Sequence, residues 1–244
     1  MPLAAYLSVT LGWQPAMIGV AALAALALLL VALLVPALPV AEPPTARAYR
    51  QALRTPGSLA AVLTTLLVLA AQFTVYGVAG TFLADRFGAS AGAVSATLLV
   101  FGIVGVLANG LAARISGRLG AGRTVSLALG GLAVALVAVL VAPGTVAVAM
   151  AVFAVWGFFS SLVMAPQQAR LVALLPDQPG LILAMNASAL YLGMSLGSLL
   201  GGTLLPLLGA AVLPVPALVL LAVAAFAHRS SKRVENPRAV PTQG

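Results

Sequence analysis

Few side chains here could do covalent or acid–base chemistry. The chain carries one His, four acidic residues and no Cys. That removes any thiolate nucleophile or thiolate metal site and undersupplies acid–base catalysis. A lipid-phosphate transferase would want paired carboxylates to hold Mg²⁺, and a hydrolase a Ser-His-Asp constellation. The acids Glu42, Asp85, Asp177 and Glu235 lie far apart, and none pairs at a metal-binding spacing. The expectation is no enzyme, no metal and no cofactor.

What the chain does offer is uncharged polar and aromatic groups inside long apolar segments. Gln72 lies near the middle of one, with Tyr76 one turn away on the same helix face. Trp156 lies near the middle of another, with Ser160 one turn on, and Asn186 and Tyr191 share a third. Such groups can hydrogen-bond between helices, at about 0.6 kcal/mol each in a membrane. They can equally line a cavity that takes an uncharged or cationic amphiphile. Gln72, Tyr76, Trp156, Asn186 and Tyr191 are the candidate substrate-binding residues. Gln72 and Tyr76 come first, because helix formation gives no reason for Gln at mid-depth. Asp85 and Arg86, at the outer end of a span, read as a solvated cap or as part of an outer gate.

The elements that must position these groups follow from composition. Hydrophobic residues make up 62% of the chain and charged residues 7%, against about a quarter charged in soluble domains. Crossing a bilayer takes about 20 mostly apolar residues. Seven segments qualify: 17–38, 58–83, 92–113, 124–142, 145–165, 180–205 and 211–227. Backbone polar groups in lipid must be satisfied within each segment, so the segments are helices. Barrel strands would be shorter and alternate in polarity. The fold class is all-α integral membrane, with about seven transmembrane helices.

Charge sets the orientation. All of the 12 Lys and Arg except Arg86 fall in every second gap, at 42–57, 114–123, 166–179 and 228–244. Basic loops stay on the cytoplasmic side, which puts the C-terminus inside a plasma membrane of the bacterial inner type and the N-terminus outside. The net charge of +8 could suit nucleic acid, but no aromatic residues interleave with the arginines. The partner expected of them is the anionic lipid surface.

The chain divides into an outer helix end with the first span (1–40), a cytoplasmic interfacial linker (41–57), a six-helix bundle (58–227) and a disordered cytoplasmic tail (228–244). Residues 42–57 carry Ala and Leu between arginines, as an interfacial helix would. No Lys or Arg occurs in residues 1–16, so no cleaved signal peptide is expected. Pro143-Gly144 makes an outer turn, Pro166 ends the fifth span, and Pro206 with Gly209 turns the last outer corner. Ala189, Gly193, Gly197 and Gly201 recur every four residues on one face, where small residues let helix backbones approach. Gly102, Gly105 and Gly110 form a looser version. Each face serves fixed packing or a sliding contact.

Four stretches carry a family resemblance. Leu11-Gly12-Trp13-Gln14-Pro15-Ala16 is similar to an external corner between helices five and six. Leu53-Arg54-Thr55-Pro56-Gly57 with Gln72-Phe73-Thr74-Val75-Tyr76 is similar to helix seven. The run from Asn109 to Arg123 matches a cytoplasmic loop signature at Arg114, Arg118, Gly120 and Arg123. Asn186-Ala187-Ser188 with the following glycines is similar to helix eleven. In order and spacing the chain resembles the C-terminal half, helices six to twelve, of a major facilitator superfamily transporter of the arabinose-efflux or drug-efflux type. Gly117 stands where that family carries Asp, so the salt bridge made by the Asp has no carboxylate here.

In that superfamily two six-helix halves surround a central pathway. The resemblance therefore implies a secondary transporter, or half of one, exporting small solutes by alternating access. The other helices would come from a missing N-terminal half or a second copy. No titratable residue lies at mid-depth in the seven segments, and buried ionisable groups mark ion pathways; coupled transport by this chain alone is not expected. The alternative is a non-transporting partner or scaffold that pairs with a separate N-terminal half and presents its glycine face for docking.

Overall fold

The computed structural model describes residues 13–34 and 45–235. The apolar start at residues 1–12, the front of the interfacial linker and the tail beyond 235 lie outside the described residues. Among the described residues seven helices are long and apolar enough to cross a membrane. The chain is an all-α, multi-pass membrane protein.

Two compact units are present, 1–44 and 45–244. The first contains α1 (Trp13–Leu34), 22 residues without a charge. At 1.5 Å per residue such a helix reaches about 33 Å, enough for a hydrocarbon core of about 30 Å.

The second unit contains α2 (Ala46–Arg54), α3 (Ser58–Tyr76), α4 (Ala79–Phe87), α5 (Ala91–Leu119), α6 (Ala121–Val141), α7 (Val146–Leu174), α8 (Pro179–Leu208) and α9 (Pro214–Glu235). Its most enclosed span is α3, which packs on α8 and α9 and touches α7. α7 packs against α5 and α6, and α6 against α9. The shared core includes Val68 and Val75 of α3, Leu132 and Leu136 of α6, Phe153 of α7 and Ala224 of α9, all fully buried. Lipid tails are as apolar as these side chains, so close packing holds the core together.

Capping fixes where several helices begin. Thr45 Oγ1 accepts from the Ala48 amide at 3.3 Å to start α2. Ser90 Oγ accepts from the Ala93 amide at 3.3 Å to start α5. Both satisfy donors that the first turn leaves open.

The structure departs from the expected spans at four places. The span expected over 58–83 is broken: α3 stops at Tyr76, and α4 starts at Ala79 after Val78 at φ −118°, ψ 23°. At the break, a Cβ on Gly77 would sit 2.6 Å from Ser198 Oγ and 3.0 Å from its Cα. The missing side chain lets α3 press directly on α8.

Pro166 does not end the fifth span. α7 runs on to Leu174, with Pro166 buried inside it. Proline removes a single backbone donor, and neighbouring helices make that tolerable in a membrane bundle. Pro206 likewise lies inside α8; the corner begins at Gly209, whose φ of +76° stops the helix. Finally, α9 continues to Glu235, where sequence composition gave a disordered tail from 228.

Candidate functional site

Three helices bring the central group together. α3 supplies Gln72 and Tyr76, α7 supplies Phe153, Trp156 and Ser160, and α5 supplies Phe101. The indole Nε1 of Trp156 donates to Gln72 Oε1 at 3.1 Å, and Ser160 Oγ donates to the same oxygen at 2.6 Å. An indole N–H can only donate. The amide oxygen must therefore face Trp156, which turns the amide nitrogen, with its two hydrogens, the other way. Among the described residues that nitrogen has no hydrogen-bond partner. Gln72 is 5% exposed, and its amide nitrogen keeps some accessible surface, so the donors sit at the edge of a nearly closed group.

Aromatic rings wall this group. The Tyr76 ring lies 4.8 Å from Phe101 and 6.4 Å from Trp156, centroid to centroid. Trp156 lies 5.1 Å from Phe153 and 6.0 Å from Phe101. Contacts of this kind contribute about 0.5–1.5 kcal/mol each beyond area burial. The Tyr76 hydroxyl makes no hydrogen bond to a described residue. The node therefore presents two sets of unengaged donors one turn apart, on an aromatic wall and with no charged member.

Asn186 and Tyr191, the other two candidates, stand apart from it. No hydrogen bond or ring contact joins either residue to Gln72. Asn186 is 2% exposed and its Oδ1 is buried without a partner. It continues the small-residue row of α8 toward that helix's start. Tyr191 is 67% exposed.

The row itself is a packing seam. A Cβ on Gly193, Gly197 or Gly201 would collide with the carbonyl oxygens of Leu66, Ala70 and Thr74 on α3. Ala189 is buried in a small cluster with Ala61, Val62 and Ile182. In the looser row of α5, Gly105 approaches Ser161 of α7, whereas Gly102 and Gly110 face open space.

In the loop signature between α5 and α6, Arg114, Arg118 and Arg123 are exposed and make no ion pair with a described residue. Gly120 separates α5 from α6 at φ +83°, ψ 150°. An added Cβ there would meet nothing, so backbone conformation, not space, selects glycine.

Sequence reading missed a buried network beyond Pro166. Gln167 Nε2 donates to the Ala61 carbonyl of α3 at 2.7 Å. Arg170 donates to Gln167 Oε1 at 2.9 Å and to Ser231 Oγ of α9 at 3.0 Å, and lies 2.8 Å from His228 Nδ1. His228 Nε2 lies 2.8 Å from Ser126 Oγ of α6. The i, i+3 spacing of Gln167 and Arg170 was the available signal, hidden by treating Pro166 as a stop. Arg86 is also a structural group. Its guanidinium donates to the Leu140 and Ala142 carbonyls at 3.2 and 2.8 Å, capping the negative end of α6.

Fold and site together define a class: a membrane-spanning helical bundle with close-packed small-residue seams and an uncharged polar node. The sequence matches the family model of the Major Facilitator Superfamily over residues 1–198 and again over 61–243, and the chain belongs to that superfamily. It is 28% identical over 209 residues to the inner membrane transport protein YdhP of Escherichia coli O157:H7, a match covering 84% of this chain and 52% of that protein. It is 27% identical over 204 residues to a probable sugar efflux transporter of Mannheimia succiniciproducens, covering 82% of this chain and 50% of the relative. The chain spans about half the length of these curated relatives.

Proposed function

We propose that this chain forms one half of a secondary transporter that exports small uncharged or amphiphilic solutes by alternating access, with its C-terminus in the cytoplasm. The observation that carries the reading is the Gln72 amide, whose donors are unengaged inside an aromatic-walled, nearly closed group. A solute carrying a carbonyl, ether or hydroxyl oxygen would accept from them, and the rings would cover its apolar face. The efflux and transport names of the relatives are in keeping with such a solute.

The pathway is completed by a second helical half, on an N-terminal segment or a second copy of the chain. Neither the node nor the rest of the bundle supplies a carboxylate at mid-depth, so ion coupling belongs to that other half. A scaffold that pairs with a separate N-terminal half is the alternative; its docking face would lie elsewhere than the glycine row of α8, which packs on α3.

The experiment is uptake of radiolabelled solutes, one sugar and one neutral amphiphile, into inverted vesicles from cells making the chain with its second half. Gln72→Leu should abolish uptake while leaving protein levels intact. Uptake at the unsubstituted rate would refute the assignment of the site.

A further inference from the structure

A groove of about 330 Å³ opens between α6 and α9. Its walls are apolar, with Leu129, Gly130 and Ala133 on one side and Leu218, Leu221 and Ala225 on the other. Gly130 is exposed, and an added Cβ there would meet nothing within 4 Å. The groove exists partly because this position has no side chain.

Polar groups gather at one end only: Ser126, His228 and Arg229. Ser126 and His228 already engage each other at 2.8 Å. Arg229 is exposed and makes no bond to a described residue. More positive charge stands nearby. The Lys232 Cε lies 3.5 Å from where Gly122 would carry a Cβ, and exposed Arg123 follows Gly122 directly. None of the chain's acids is among the groove's lining residues.

The groove's length is informative. On α6 the lining runs over residues 126–133 and on α9 over 218–229. At 1.5 Å per residue these stretches reach about 10 and 16 Å. Half of a hydrocarbon core of about 30 Å is about 15 Å. An apolar channel one leaflet deep, with a guanidinium at its mouth, fits the shape and charge of one lipid.

We propose that this groove binds an anionic phospholipid, with an acyl chain along the apolar walls and the phosphate at Arg229, supported by Arg123 and Lys232. Guanidinium geometry matches phosphate oxygens, and basic pockets between transmembrane helices favour anionic headgroups. A soluble phosphate would leave the apolar walls unused. The site is independent of the solute pathway, so either reading can fail without the other.

The test uses the full chain in phosphatidylcholine vesicles with spin-labelled phosphatidylglycerol or spin-labelled phosphatidylcholine as probe, reading the immobilised fraction by electron paramagnetic resonance. The phosphatidylglycerol probe should associate about fivefold better, the effect of about one basic residue near the surface. The preference should persist in about 0.5 M NaCl, where diffuse attraction is screened within a few ångströms.

Gly130→Leu, which fills the groove and favours the helix, should bring the high-salt preference to unity. Ala222 also lines the groove on α9, and Ala222→Leu should do the same from that side; Arg229→Gln should lower the preference at least about twofold. Equal association of both probes at high salt would overturn the proposal. So would a preference that survives both groove-filling variants, because the lipid would then sit elsewhere.

Discussion

Gln72 is the point where two donors, Trp156 Nε1 and Ser160 Oγ, converge on one oxygen. Gln72→Leu removes that acceptor and should lower stability by about 1 kcal/mol, in the range measured for interhelical bonds in membranes. In a Trp13→Phe background the emission of Trp156 should shift as its indole loses the bond. Unshifted emission together with unchanged unfolding in detergent would contradict the geometry. Asn186 offers the opposite case. Its buried Oδ1 has no partner, so Asn186→Leu should leave stability unchanged or raise it, since an orphan polar group is removed. A clear loss of stability would reveal a bond that the Asn side chain makes. The chemistry of the node was partly legible in sequence. Gln72, Tyr76 and Trp156 stand out as polar or aromatic groups at mid-span, and the structure joins them. Tyr191 carried the same signal and is exposed, because position along a span says nothing of the direction a side chain faces.

The elements depend on close backbone approach. α8 reaches α3 through Gly193, Gly197 and Gly201, each aimed at a carbonyl oxygen. Gly197→Leu should force the helices apart and cost about 1–3 kcal/mol or more, seen as reduced folded yield in detergent. Gly202, one residue after the seam, faces open space, and Gly202→Leu should fold normally. Equal behaviour of the two variants would remove the seam as the cause. The four-residue spacing of the glycines was readable because helix geometry alone puts such positions on one face. Helix ends were less readable. Pro166 and Pro206 are helix breakers by local preference, yet both lie inside helices, because neighbouring helices enclose the weakened turn. The network that Pro166 concealed ties α7 to α3 and α9. Gln167→Ala should leave the Ala61 carbonyl and Arg170 each short of a partner, and should lower stability by about 1–3 kcal/mol, measured by thermal unfolding.

At the scale of the whole molecule, the chain spans about half the length of its curated relatives, in a superfamily built around paired halves. On the proposed function, the chain alone in liposomes with an imposed pH gradient should give no gradient-driven solute movement, and adding a complementary helical half should restore it. Movement by the chain alone would place both the pathway and the coupling group within these helices. Orientation can be read by labelling introduced thiols, since the chain has no native Cys. Arg118→Cys should react only from the cytoplasmic side and Thr145→Cys only from outside. The order of residues is enough to establish the solvent, the number of spans and the end of each span that carries positive charge. Those properties follow from composition and from one-dimensional spacing, which lipid reads directly. That Gln72 meets Trp156, that α3 lies at the centre and breaks at Gly77, and that Arg170 and His228 are buried emerges from the packed bundle alone. The reason is physical. Lipid accepts any apolar helix face equally, so hydropathy cannot tell a face that meets lipid from one that meets another helix, and packing between helices makes that choice.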